Sequence, residues 1–328
     1  MRDETPQKFV LRAAGGPATG VGHLVRTRSL AQECDRRGIA YDLIVDDEDS
    51  AQWLTQRGVP ALAVDTCADW ADTSPRAVWL DGFRDWRDEL NRLDTKTTCV
   101  ILAENRIAER DRATFTVYPA LHYTADDWDS AHSGRVRGGL DWIPLAHEVL
   151  NERVATRDVD LLVSFGGCDP AGLTERTLLA LAMVGFTGSV RTVIGPRMID
   201  RADKIRHAGR SLIDHELVDG GGGIAHWQAR SRTAITALGT TLYELAWFAV
   251  PALILANYPE DRTALDWYEK RGCHLPLGVA SEMSQLQLCR SLSSALHELD
   301  NRPQSTPLDL AGGCARIVNL LMTEAIHA

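Results

Sequence analysis

Short apolar runs alternate with longer stretches of helical period along almost the whole chain, and nothing else constrains the fold as strongly. Runs at 8–13, 40–45, 61–64, 78–80 and 98–102 read as strands, and 22–37, 50–57 and 86–93 between them read as helices. Strands this apolar throughout are buried on both faces. A strand–helix–strand rhythm then gives a parallel sheet covered by helices. The rhythm weakens over 118–158, a polar stretch with Gly138-Gly139 and Pro144, and then restarts. Strands are predicted at 160–165, 190–194, 211–213, 232–236 and 252–255. Helices are predicted at 173–183, 224–229, 240–248, 263–270, 283–299 and 308–325. Four consecutive glycines at 220–223 read as a flexible loop.

The predicted class is α/β, with two Rossmann-like doubly wound domains. They span 1–155 and 156–328, and the last helix is free to return to the first domain. A length of 328 residues fits two domains of ordinary size. Open sheets of this kind bind ligands outside the carboxyl ends of their strands. With two sheets facing each other, that crevice becomes a cleft, so the chemistry is sought in loops that follow strands.

Three such loops stand out. The first is Gly15-Gly16-Pro17-Ala18-Thr19-Gly20-Val21-Gly22-His23, which leads directly into a helix. Gly20 and Gly22 let a backbone approach an anion, and helix N-terminal N–H groups point at it. It is neither GxGxxG nor a P-loop. His23 and Arg26, three residues apart, share a helix face. A histidine there either serves as a general base near neutral pH or merely caps and packs. The second loop is Gly166-Gly167-Cys168-Asp169-Pro170, where double glycine suggests close approach of a ligand and Asp169 suits an N-cap. The third is Thr236-Ala237-Leu238-Gly239-Thr240-Thr241-Leu242-Tyr243-Glu244. The N–H and hydroxyl groups of Thr240 and Thr241 suit a diphosphate, and Glu244, one turn on, suits two ribose hydroxyls. The competing reading makes Thr240 an N-cap and Glu244 a partner of the helix dipole. Lesser candidates are Asp81, which ends a strand and points a carboxylate into the cleft, and Gly195-Pro196, which can flank a flat base.

Composition narrows the partners. Net charge is −10, from 35 basic and 45 acidic residues, and neither half is basic. Nucleic-acid binding is therefore not expected. There is no apolar run of membrane-spanning length and no signal-like start, and seven scattered cysteines form no CxxC pair. The expected protein is cytoplasmic, with reduced thiols and no metal site. Neither GxSxG nor HExxH is present.

Taken in order, the loops resemble those of the nucleotide-sugar hydrolases of the pseudaminic acid pathway and the related spore-coat predicted glycosyltransferases. Both fall within the GT-B group that includes the lipid-II-forming N-acetylglucosaminyltransferase. The matching residues are Gly20-Val21-Gly22-His23-Leu24-Val25-Arg26 with Leu30-Ala31, then Ser164-Phe165-Gly166-Gly167-Cys168-Asp169-Pro170 with Leu173-Thr174, then Gly239-Thr240-Thr241-Leu242-Tyr243-Glu244. Weaker matches are Val78-Trp79-Leu80-Asp81, Gly139-Leu140-Asp141-Trp142-Ile143-Pro144-Leu145 and Gly313-Cys314-Ala315-Arg316-Ile317.

The resemblance implies a GT-B fold with a UDP-sugar as partner and no cofactor. Gly239, Thr240, Thr241 and Glu244 would hold the nucleotide. The first domain would hold the sugar and supply His23 as the base that activates water. Attack at the anomeric carbon would proceed with inversion, without a metal, and release UDP. Main-chain donors near Thr240, with Arg26, would stabilise the leaving diphosphate.

Departures fall mostly on the sugar side. The family's Arg-x-Asp is Arg12-Ala13-Ala14 here, and its Asp-His-Tyr is Asp81-Gly82-Phe83. Its Asn-Gln pair falls in Ala256-Asn257-Tyr258-Pro259-Glu260-Asp261-Arg262, where the register is open. The leading expectation is hydrolysis of a UDP-linked amino or deoxy sugar. The competing ones are transfer of the sugar to an acceptor, and binding without catalysis, which the lost side chains at Ala14 and Gly82 motivate. A dinucleotide-dependent oxidoreductase is disfavoured, because neither domain carries GxGxxG with a following acidic residue.

Overall fold

A computed structural model describes residues 8–16, 20–64, 69–82, 84–94, 96–102, 112–120, 135–153, 156–271, 274–300 and 306–323. The chain divides into two compact units, Met1–His147 with Leu310–Ala328, and Glu148–Asp309.

The first unit holds seven parallel strands: β1 (Phe9–Ala13), β2 (Tyr41–Val45), β3 (Leu62–Ala63), β4 (Ala77–Asp81), β5 (Thr98–Leu102), β6 (Phe115–Tyr118) and β7 (Val136–Gly138). Their order is β3-β2-β1-β4-β5-β6-β7. Successive residues of a strand point to opposite faces, and β1 shows the consequence. Phe9, Leu11 and Ala13 join Leu43, Trp79 and Val100 in one core, while Val10 joins Ile44, Val78, Leu80 and Trp86 in the other.

Helix α1 (Gly22–Arg37) lies on the first of these faces and buries Leu24, Thr27, Leu30, Ala31 and Cys34. It stops at Gly38, whose φ of 66° is left-handed and whose N–H bonds back to the helix. Helices α2 (Glu48–Thr55) and α3 (Arg87–Arg92) complete the unit's first part. The Asp47 side chain caps α2 through the Ser50 N–H at 2.8 Å.

The chain leaves through α4 (His147–Asn151). The second unit holds β8 (Val159–Ser164), β9 (Ser189–Ile194), β10 (Asp214–Asp219), β11 (Ser231–Thr236), β12 (Ala252–Ala256) and β13 (Leu275–Val279). They form a parallel sheet in the order β10-β9-β8-β11-β12-β13. Its helices are α5 (Leu173–Met183), α6 (Ala202–Ala208), α7 (Ala225–Arg230), α8 (Thr240–Trp247), α9 (Arg262–Arg271) and α10 (Gln285–Asp300). Helix α11 (Gly313–Met322) then packs Cys314, Ile317, Val318 and Leu321 into the first unit's core beside β4, β5 and α1.

Several elements differ from expectation. The strand predicted at 211–213 is β10 at Asp214–Asp219, an edge strand whose exposed Asp214 and Glu216 hide its period. The polar stretch after 118 contains β7 and a short 3₁₀ turn, Leu140–Trp142. The glycine run is a hydrogen-bonded turn. Gly221 N–H donates to Asp219 at 2.7 Å, and Gly223 N–H to the Gly220 carbonyl at 3.3 Å. Pro17, Ala18, Thr19 and Phe83 lie outside the described residues, as do Cys67 and Cys273.

In each sheet the strand order reverses beside the first strand: between β1 and β4, and between β8 and β11. The carboxyl ends of these pairs form the crevices where such sheets take ligands.

Candidate functional site

The crevice of the first unit brings His23, Arg26 and Asp81 together. Strands β1 and β4 run in register with Ala13 opposite Asp81, so Asp81 ends β4 level with the end of β1. Helix α1 starts a short loop later. Its face toward β4 is fixed lower down by a bond from Trp79 Nε1 to Thr27 Oγ1 at 3.2 Å. One turn back along that face stands His23, with Arg26 three residues on from it.

His23 Nδ1 lies 2.6 Å from Asp81 Oδ1. Arg26 donates through Nε to Asp81 Oδ2 at 3.0 Å and through Nη2 to Oδ1 at 2.8 Å. Arg26 Nη2 also stands 2.8 Å from His23 Nδ1. A carboxylate is an acceptor only, so a ring nitrogen this close to it must carry the proton. The guanidinium then gives its hydrogens to Asp81 rather than to the ring.

Asp81 is completely buried. Burial pushes its pKa up, but the charges of Arg26 and His23 and their hydrogen bonds outweigh it, and the carboxyl sits below its ordinary range. It is therefore an ionised group fully engaged within the unit. The cleft-pointing carboxylate expected at Asp81 is instead the partner of the histidine. The Arg26 charge is likewise spent on Asp81.

The departures at Ala14 and Gly82 explain each other. A Cβ on Gly82 would overlap the Ala14 side chain and press on Trp86. The two small residues are one packed contact. Beside them Arg12 is buried against Trp86, with its guanidinium 5.4 Å from the ring centroid and bonded to Asp46 and to the Ala13 carbonyl. Arg84 is a second cation on that ring, 4.5 Å from its centroid, and bonds Asp46 at 3.1 Å. A cavity of about 290 Å³ nearby, lined by Val64, Trp70, Arg84, Asp85, Asp88, Glu89 and Arg92, contains none of the residues singled out from sequence.

In the second unit, β8 and β11 end level, with Ser164 opposite Thr236, so the second and third loops leave from adjacent strands. They are used differently. Asp169 is buried and accepts the Leu173 and Thr174 N–H groups at 2.8 and 2.9 Å, which closes the start of α5. A Cβ on Gly195 would meet the Gly167 and Gly166 carbonyl oxygens at 2.5 and 2.6 Å. Packing inside the unit thus accounts for the small size of Gly195 at this point, where a flat base was expected.

The start of α8 is different. No side chain caps it, and Gly20 and Gly22 likewise lead into an uncapped α1. Gly239 is exposed, has extended backbone and would have open space around a Cβ. Nothing within the unit asks for glycine there. Thr240 is partly exposed, Thr241 is buried, and Glu244 follows on the same side of the helix. Glu244 is 8% exposed. Burial raises its pKa, with Gln228 opposing and Glu148 adding to the rise. Sequence reasoning missed Gln228, whose Nε2 donates to Glu244 Oε2 at 2.6 Å from α7. No local signal marks it, because the contact exists only once α7 and α8 flank β11.

Among the described residues no group of three His, Cys, Asp or Glu is placed to hold a metal ion, and no helix is long and apolar enough to cross a membrane.

No protein family's sequence pattern matches the chain, and no curated protein matches it. Solved structures do. MurG of Acinetobacter baumannii aligns with TM-score 0.60 and 12% identity over 96% of this chain and 99% of its own. UDP-GlcNAc 2-epimerase of Methanocaldococcus jannaschii, in complex with UDP-GlcNAc and UDP, aligns with TM-score 0.59 and 10% identity over 96% and 99%. The spinosyn rhamnosyltransferase SpnG, complexed with thymidine diphosphate, aligns with TM-score 0.55 and 11% identity over 97% and 96%. At these identities the likeness concerns architecture: the chain has the GT-B fold, with two parallel sheets of seven and six strands.

Proposed function

We propose that the protein is an enzyme that cleaves a UDP-linked amino or deoxy sugar at the anomeric carbon, with water as the acceptor. The observation that carries this reading is the His23–Asp81 contact at 2.6 Å, at the carboxyl edge of the first sheet. An ionised, buried carboxylate fixes the ring and its tautomer, which leaves Nε2 as the basic nitrogen. In this reading water attacks the anomeric carbon while its proton passes to His23 Nε2. The bond from that carbon to the diphosphate oxygen breaks, and its electron pair leaves with UDP. Asp81 offsets the charge that the imidazolium acquires.

The second unit holds the nucleotide in this proposal. The main-chain N–H groups at the start of α8, with the Thr240 and Thr241 hydroxyls, receive the diphosphate, and Glu244 receives the ribose hydroxyls. Gly166, Gly167 and Gly195 keep the neighbouring backbone low. Support comes from the fold shared with structures whose ligands are UDP-GlcNAc with UDP, and thymidine diphosphate. The second of these makes a thymidine nucleotide, which lacks the 2′-hydroxyl, the comparison nucleotide in the test.

Transfer to an acceptor hydroxyl is the competing reading, favoured by the transferase among the structural neighbours. The deciding experiment incubates the protein with UDP- and TDP-sugars, with and without candidate acceptors, and follows the anomeric signal by NMR. Hydrolysis predicts free sugar of inverted configuration from the donor alone. A donor consumed only when an acceptor is present overturns hydrolysis in favour of transfer. His23→Ala is expected to lower turnover roughly a hundredfold or more, with UDP affinity changed little. Wild-type turnover in that variant removes His23 from the mechanism.

A further inference from the structure

Gln228 has a use that the reading above does not require. It sits in the short helix α7, immediately before β11, and is completely buried. Its Nε2 donates to Glu244 Oε2 at 2.6 Å, whereas its Oε1 is buried without a hydrogen-bond partner. Turning the amide over would set its oxygen against the carboxylate and leave both ends unmatched. A buried amide kept for structure alone normally has both ends matched. This one is matched at a single end, and that end is on Glu244.

Glu244 in turn depends on Gln228. Among the described residues no cationic side chain pairs with it, and Gln228 is its one side-chain hydrogen-bond donor. A carboxylate held by one strong bond at one oxygen has lost its freedom to rotate. Its other oxygen, and the remaining lone pair of the first, stay available to donors from outside the protein. Two adjacent hydroxyls match that geometry, and a single hydroxyl matches half of it.

We propose that Gln228 is a positioning residue that locks the Glu244 carboxylate for a vicinal diol, and so makes the second unit select ribonucleotides over 2′-deoxyribonucleotides. The proposal rests on the nucleotide reading of the α8 loop and adds a specificity to it. Gln228 does not touch the nucleotide; it acts through Glu244.

The test is calorimetric titration of the full chain with UDP and with 2′-deoxy-UDP. The proteins are the wild type, Gln228→Met, Glu244→Gln and the double variant, with thermal melting to verify folding. One hydrogen bond to a charged group corresponds to roughly a ten- to hundredfold preference for UDP in the wild type. Gln228→Met is expected to reduce that preference to about threefold or less, mainly by weakening UDP, and to add nothing in the Glu244→Gln background. Gln228→Asn, which keeps the amide but withdraws it from Glu244, should behave like Gln228→Met and serves if that variant does not fold. Equal weakening of both nucleotides, with the preference intact, would show a structural role and overturn the proposal. A wild type that binds both nucleotides equally also overturns it, while leaving the nucleotide reading in place. A wild type that binds neither overturns both.

Discussion

Asp81 makes two separable contributions, and one substitution reads them both. Its carboxylate orients His23 and neutralises Arg26 from a completely buried position. Asp81→Asn keeps the shape and removes the charge. Turnover is expected to fall roughly a hundredfold or more, because Asn no longer enforces the tautomer with the basic nitrogen at Nε2. Stability is expected to fall by roughly 3–5 kcal/mol, because the Arg26 charge stays buried with no anion. The pH dependence has a definite sign. The folded-state pKa lies below the unfolded value of about 3.9. The contribution of Asp81 is therefore complete above about pH 5 and is lost as pH falls through 3.9 toward the folded value. Urea unfolding between pH 7 and 3 should show a flatter acid limb in Asp81→Asn than in the wild type. Equal limbs would mean that the carboxylate is not held ionised. At this scale the position of His23 in the first turn of a helix was legible, since a glycine loop that opens a helix is a local pattern. The true partner of Asp81 was not. It depends on β1 and β4 being neighbours, although 58 residues separate His23 from Asp81.

Elements were legible where they are buried on both faces. Strands β4, β5 and β12 are buried at every position and stand out as apolar runs. Strand β13 does not, because Pro276 and Gly278 argue against a strand by local rules. It survives at the sheet edge, and its register against β12 shifts between Ile254 and Leu255. His274 leads into it. Its Nδ1 accepts the Ala252 N–H at 3.1 Å, which joins the starts of β12 and β13. Burial pushes its pKa down to about 4, so the native ring stays neutral where an unfolded one is charged. The stability this carries is present above the unfolded pKa of about 6.5 and drains away as pH falls from there to about 4. Over that window the loss amounts to roughly 3 kcal/mol. His274→Asn supplies an acceptor in place of Nδ1 and cannot take up a proton. It should remove most of the slope in urea-derived stability between pH 6.5 and 4 and leave the Asp81 limb below pH 4 untouched. An unchanged slope would locate the titration elsewhere.

At the scale of the whole molecule the first unit is discontinuous in sequence, and this has a consequence for truncation. The first unit is left at His147 and re-entered at Leu310, so the second unit is an uninterrupted segment and the first is not. A composition shift marks where a chain changes character, but it does not show which sheet a later helix will cover. That requires matching the stripe Ile317, Val318 and Leu321 to a face left open beside α1. Those three side chains and Cys314 are buried in the first core. At roughly 1.5–3 kcal/mol for each large apolar side chain, α11 contributes on the order of 5–10 kcal/mol. That equals the whole stability of a typical domain, about 5–15 kcal/mol. A chain ending at Asp309 is therefore expected to lose the first unit and keep the second. Hydrogen exchange should show β1 and β4 amides unprotected, with β8 and β11 protected as in the full chain. Retained protection in β1 and β4 would mean that α11 is dispensable, and that the core closes without the helix packed on it. If the nucleotide reading holds, the same truncated chain should still bind UDP through the start of α8. It should release no sugar from a donor, because His23 would no longer be held against Asp81.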